Sequence, residues 1–115
     1  MKKIIIVMLL LACGITNAQE KNKEVVTVTF NVKGNCGECK ERIENAADIK
    51  GVKLAVWDKQ TQTIKVTYRT DKVSESQIKQ AILKSGHDVE DKKAPDAIYN
   101  KLPECCKFRD KKCVK

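Results

Sequence analysis

The sequence predicts an α+β fold in which two helices lie on one face of a four-stranded antiparallel sheet. Three observations predict it. Apolar residues recur at every second position in short stretches such as Val25–Val32 and Ile64–Tyr68. Between them the apolar period lengthens to that of a helix. A complete helix-start signature also stands at Ser74, well past the middle of the chain.

From Val25 to Val32 the alternation puts Val26, Val28, Phe30 and Val32 on one side, with Val25, Thr27, Thr29 and Asn31 on the other. Lys33-Gly34-Asn35 breaks the strand. From Gly37 to Ile49 the pattern is helical, with Cys39, Ile43 and Ala46/Ala47 on one face. Gly51 ends that helix. Val52, Leu54 and Val56 alternate with Lys53, Ala55 and Trp57 as a second strand. Asp58-Lys59-Gln60-Thr61 is a polar turn, and Ile64, Val66 and Tyr68 form a third strand that closes a hairpin. Ser74 and Gln77 make a capping box, with Val73 and Ile78 as the hydrophobic staple. Ile78, Ala81 and Ile82 form the apolar face of this second helix, Gly86 suits its C-terminal cap, and His87–Glu90 reads as a short last strand. The order is βαββαβ, the ferredoxin-like split βαβ arrangement. Val28, Phe30, Val32, Ile43, Ala47, Leu54, Val56, Ile64, Val66, Ile78 and Ile82 are the expected core.

Residues 1–18 read as a signal peptide. Lys2 and Lys3 precede an apolar run, Ile4–Ala12, that falls short of the roughly 20 residues a membrane-spanning helix needs. Thr16-Asn17-Ala18 places small residues at positions −3 and −1 of a cleavage site before Gln19. The expected location is therefore periplasmic or secreted. The alternative is a lipoprotein anchored through Cys13, because Leu10-Leu11-Ala12-Cys13 resembles a lipobox. The net charge of +8 falls to +6 without residues 1–18. Its lysines are scattered, and only 4% of residues are aromatic, so the basic stripe with stacking rings that nucleic acid requires is missing. The mature chain is read as a monomer with domain boundaries at 24–90 and a Lys/Cys-rich tail, 91–115, carrying a short helix.

The chemistry centres on Gly34-Asn35-Cys36-Gly37-Glu38-Cys39. A C-x-x-C at a helix start puts one thiol in the loop and one in the first turn, so both sulfurs can face one point. The positive helix end favours thiolate over thiol. Thiolates select soft ions, and two sulfurs suit a low-coordinate ion such as Cu(I), whereas a closed zinc site needs four ligands. The same motif is compatible with a thiol–disulfide oxidoreductase pair or a local disulfide. Both prolines, Pro95 and Pro103, lie in the tail, so neither is placed where a thioredoxin-type site wants one. No nucleophile–base pair, phosphate loop or paired carboxylates appear, and the chain is not read as an enzyme.

Residues Val25–Glu90 resemble a heavy-metal-associated domain, the module of copper chaperones, copper-transporting ATPases and the periplasmic mercury-binding protein. The resemblance rests on Val32-Lys33-Gly34-Asn35-Cys36-Gly37-Glu38-Cys39 with Arg42, Ile43 and Glu44, on Gly51-Val52, and on Ser85-Gly86-His87. It implies metal capture by Cys36 and Cys39 and transfer by thiolate exchange to a transporter or another carrier. Cu(I) is the expected ion, with Hg(II) or Zn(II) as alternatives, and a mercury scavenger delivering to a membrane transporter is the neighbouring reading. Two features depart from the family pattern. The loop is one residue short and lacks the usual methionine, and His87 stands where Tyr, Phe or Lys is common.

His87, the only histidine, follows the second helix at the metal end of the inferred fold and is a candidate third ligand. Cys105, Cys106 and Cys113 are left for the tail. Adjacent cysteines rarely bond to each other, so Cys105 and Cys106 face different partners. Either one of them pairs with Cys113, or the tail doubles back. A last strand carrying the chain about 16 Å out, then a helix from Pro95 to Pro103 returning it about 13 Å, would set Cys105 or Cys106 beside Cys36 and Cys39. The signal-peptide reading predicts that the exported protein begins at Gln19. Intact-mass measurement checks this, and a lipid adduct on Cys13 would overturn it.

Overall fold

The computed structural model describes residues 24–109. The signal segment, Cys13 and Cys113 lie outside the described residues. The elements are β1 (Val25–Asn31), α1 (Gly37–Ala47), β2 (Val52–Asp58), β3 (Thr63–Arg69), α2 (Glu75–Leu83), a one-turn α3 (Asp96–Tyr99) and a 3₁₀ turn, Glu104–Cys106. β3 is the central strand, antiparallel to β1 on one side and β2 on the other. Val28 opposite Val66 and Phe30 opposite Ile64 set the register of β1, so the alternation read from the sequence delivers one apolar face. Cys39, Ile43 and Ala47, spaced one helical turn apart, bring α1 onto that face. Ile78 and Ile82 do the same for α2.

The capping box forms as the sequence predicts. Ser74 Oγ accepts the Gln77 N–H at 3.1 Å, and the Gln77 side chain accepts the Ser74 N–H at 2.9 Å. The staple residues Val73 and Ile78 are both buried. Gly51 and Gly86 each have φ near +100°, and a Cβ at either would strike a neighbour at 2.8–2.9 Å: Lys72 and Val73 for Gly51, Leu102 for Gly86. Glycine is therefore required twice at each position, by conformation and by space.

Three expectations need correction. First, Leu54 and Val56 do not enter the core: they are 52% and 43% exposed, and Trp57 is buried instead. The pairing shifts between Val52 and Leu54, so Val52 opposes Tyr68 while Ala55 opposes Val66 and Trp57 opposes Ile64. The extra residue reverses which side chains face inward, as a β-bulge does. Second, the fourth strand is reduced to a single pair, Val89 with Val32. It is flanked by hydrogen bonds from Lys33 N–H to Asp88 and from Glu90 N–H to Asn31. Glu90 adopts φ 55°, and Val89 and Lys92 exchange backbone hydrogen bonds, which turns the chain off the sheet edge. Third, the tail helix spans Asp96–Tyr99 rather than Pro95–Pro103.

The bulge makes a contrast that stability can read. Trp57→Ala should lower unfolding free energy by about 3–5 kcal/mol, whereas Leu54→Ala should change it by no more than about 0.5 kcal/mol. Urea unfolding measures both, and a large loss from Leu54→Ala would contradict the register of β2.

Candidate metal centre

The loop between β1 and α1 is positioned from below. Gly34 lies against Trp57, Cys39 and Ile43, and a Cβ there would come within 3.0–3.1 Å of all three. The Trp57 indole N–H donates to the Val32 carbonyl at 2.9 Å, and the Gln62 side chain accepts the Gly34 N–H at 3.0 Å. The loop thus rests on a buried indole.

Cys36 is the N-cap of α1. Its backbone is extended, and its carbonyl accepts the Lys40 N–H at 3.0 Å. Burial works against its thiolate, yet hydrogen bonds from the Cys39 and Glu38 N–H groups, together with the Cys105 and Cys39 thiols, bring the thiol below the ordinary cysteine value. When protonated, Cys36 donates to the Cys105 carbonyl at 3.3 Å. Cys39, one turn into the helix, is fully buried.

The tail returns to this point. Adjacent residues of a 3₁₀ turn project about 120° apart, so Cys105 and Cys106 point to different neighbours although their sulfurs stay 4.0 Å from each other. Cys106 points inward and has no exposed surface. Its sulfur joins those of Cys36 and Cys39, all three lying within 4.8 Å of one another. Cys105 turns to the rim, where its thiol donates to Glu38 Oε1 at 3.3 Å. That carboxylate, with some burial, holds Cys105 up at about 11. Cys106 is pushed well above the ordinary cysteine value by burial first and by the Cys39 sulfur second.

His87 is buried close by but does not join the three sulfurs. Its Nδ1 meets the Lys33 carbonyl at 2.8 Å, and its ring stacks on Phe108 with centroids 5.3 Å apart. The carbonyl accepts only, so the proton sits on Nδ1, and burial, reinforced by the Arg42 charge, keeps the ring neutral by lowering its pKa. Nε2 has no hydrogen-bond partner among the described residues. The imidazole therefore fastens the loop from Lys33 to the tail.

The residues that fix the tail carry no spacing signal in the sequence. Arg109 contacts Asp88 at 2.7 Å, Asp96 at 3.2 Å and the Ala94 carbonyl at 3.1 Å, with its guanidinium 4.0 Å from the centre of the Tyr99 ring. Its backbone N–H donates to the Tyr99 hydroxyl at 2.9 Å. Leu102 fills the space left by Gly86. The adjacent cysteines and the near-cancelling lengths of strand and helix hinted at the return of the tail, but not at the residues that hold it.

A model of the heavy-metal-associated domain matches residues 29–88. The chain belongs to this family. The copper chaperone CopZ of Staphylococcus aureus is 41% identical over 62 residues, which are 52% of this chain and 91% of that protein. Among solved structures, a CopZ metallochaperone shares 38% identity at a TM-score of 0.54, covering 56% of this chain and 98% of its own. Oxidized MerP from Ralstonia metallidurans CH34 shares 25% identity at a TM-score of 0.55, covering 58% of this chain and 96% of its own. The N-terminal domain of a potential copper-translocating P-type ATPase from Bacillus subtilis, solved in its Cu(I)-loaded state, shares 30% at a TM-score of 0.55, with coverages of 65% and 96%. The match to the heavy-metal-associated domain ends at residue 88, so Cys105, Cys106 and Arg109 lie beyond it.

If Arg109 fastens the tail, Arg109→Ala should speed amide exchange at Cys106 and Phe108 by about tenfold or more while leaving the sheet protected. Hydrogen-exchange mass spectrometry checks this. Unchanged exchange in the tail would show that Leu102 and Phe108 suffice.

Proposed function

We propose that this protein binds a soft metal ion, Cu(I) foremost, between Cys36 and Cys39 and carries it in the exported compartment to another protein. The observation that carries this reading is the pair of sulfurs at the start of α1, one buried and one half-exposed, within 4.8 Å of each other. Sulfur donors suit a soft monovalent ion. The helix N–H groups that lower the Cys36 thiol also offset the negative charge of a two-thiolate site. Similarity to the copper chaperone CopZ and to the Cu(I)-loaded ATPase domain supports copper as cargo. It also supports a P-type ATPase or a second carrier as the receiving partner, with thiolates displacing one another at the ion. The likeness to MerP keeps Hg(II) as the second cargo to test. Export rests on Lys2-Lys3, the apolar run and Thr16-Asn17-Ala18.

Replacing Cys36 and Cys39 together with Ser should abolish high-affinity Cu(I) binding without unfolding the domain, because hydroxyls are poor ligands for a soft ion. Competition with a Cu(I) chelator under anaerobic conditions measures the affinity, and circular dichroism checks the fold. An unchanged affinity in the double variant would remove the central claim. Catalysis of insulin reduction by the native protein would favour the oxidoreductase reading instead.

A further inference from the structure

The geometry points to a three-sulfur metal centre in which Cys106, supplied by the tail, is the third ligand beside Cys36 and Cys39. The inference rests on the reading of Cys36 and Cys39 as cargo ligands and adds to it the coordination number and the ligand that sets it.

Three independent features support it. The first is distance. Metal–thiolate bonds of about 2.3 Å place the sulfurs of a planar three-coordinate site about 4.0 Å apart. The three sulfurs here already lie within 4.8 Å of one another, so small side-chain movements close the site around an ion. The second is the reason Cys106 faces inward. Pro103 precedes the 3₁₀ turn and its carbonyl accepts the Cys106 N–H at 2.8 Å. That turn aims Cys106 at the helix start and sends Cys105 to Glu38. The third is anchorage. Arg109 on Asp88, Phe108 on His87 and Leu102 on Gly86 hold both sides of the turn by contacts that involve no sulfur. A ligand held in place before the ion arrives loses little conformational entropy on binding.

The chemistry that follows differs from that of a two-sulfur carrier. An ion held by two sulfurs leaves one side open to an incoming thiolate. Here Cys106 occupies that side from within the fold, so a receiving protein must displace a third bond. The centre therefore favours retention over rapid exchange, and it accepts thiophilic ions that take three sulfurs.

Cu K-edge X-ray absorption of the reduced mature protein, loaded anaerobically with Cu(I) at substoichiometric metal and taken from the monomeric fraction on gel filtration, tests the assignment. The native chain and Cys105→Ser should each show three sulfur neighbours. Cys106→Ser and Cys106→Ala should show two, with Cu(I) affinity reduced by more than about tenfold. Two sulfurs in the native monomer would overturn the proposal without reference to any variant. So would three sulfurs that persist in a folded Cys106→Ala, or that occur only in a metal-bridged dimer. Failure of the underlying reading has a different signature: the native chain would then not retain Cu(I) against the chelator, and no copper–sulfur signal would be obtained.

Discussion

The indole N–H of Trp57 donates to the carbonyl of Val32, and through this buried bond the end of β2 grips the loop that leads to Cys36 and Cys39. The Trp57 backbone is tied to α1 as well. Its N–H donates to Glu44 at 2.8 Å, and its carbonyl accepts from Lys40 at 3.0 Å. Strand, loop and helix thus meet on one residue. Gly34 has no room for a side chain because the indole lies beneath it, and Cys39 and Ile43 are pressed against the same surface. The bulge in β2 is what turns Trp57 inward. Without it, Leu54 and Val56 would face the core and the loop would lose its floor.

On this base the protein builds a site of uneven thiols. Cys36 stands where unpaired helix N–H groups favour the thiolate. Cys106 stands where burial disfavours it, and Cys105 is held as a thiol by the Glu38 carboxylate. These differences come from position alone, since the side chains are chemically identical. One sulfur is half-exposed at the helix start, one is delivered by the tail into a dry setting, and one lies at the rim. In the proposed centre a bound soft ion would supply the positive charge that burial denies to Cys106.

The tail is an extension of the family fold rather than a loose appendage. The fourth strand is almost given up to make it: one pair at Val89 is retained, and the chain turns at Glu90. The segment from Ala94 to Arg109 packs back against the start of α1 and the loop after α2. Phe108, Tyr99 and Leu102 join the core, and His87 serves as a stacking surface between loop and tail.

The sequence by itself determined the elements whose signals are local. Alternation at Val26, Val28 and Phe30 and at Ile64, Val66 and Tyr68 fixed two strands, and Ser74 with Gln77 fixed the start of α2. The Cys36–Cys39 spacing set two thiols at the start of α1. These features depend on neighbours a few residues apart, so the chain carries them openly. Three others were decided by tertiary structure. The bulge in β2 has no local marker, because Val52, Leu54 and Val56 alternate as well as Ala55 and Trp57 do. Volume beneath Gly34 selects the phase that buries the indole. The role of His87 depended on the Lys33 carbonyl and the Phe108 ring, both remote in sequence. Which of Cys105 and Cys106 meets the CxxC pair depended on the pitch of a 3₁₀ turn and on Arg109 binding Asp88, twenty-one residues away. Side-chain type is written in the sequence, but which distant groups share a volume is settled only when the chain packs.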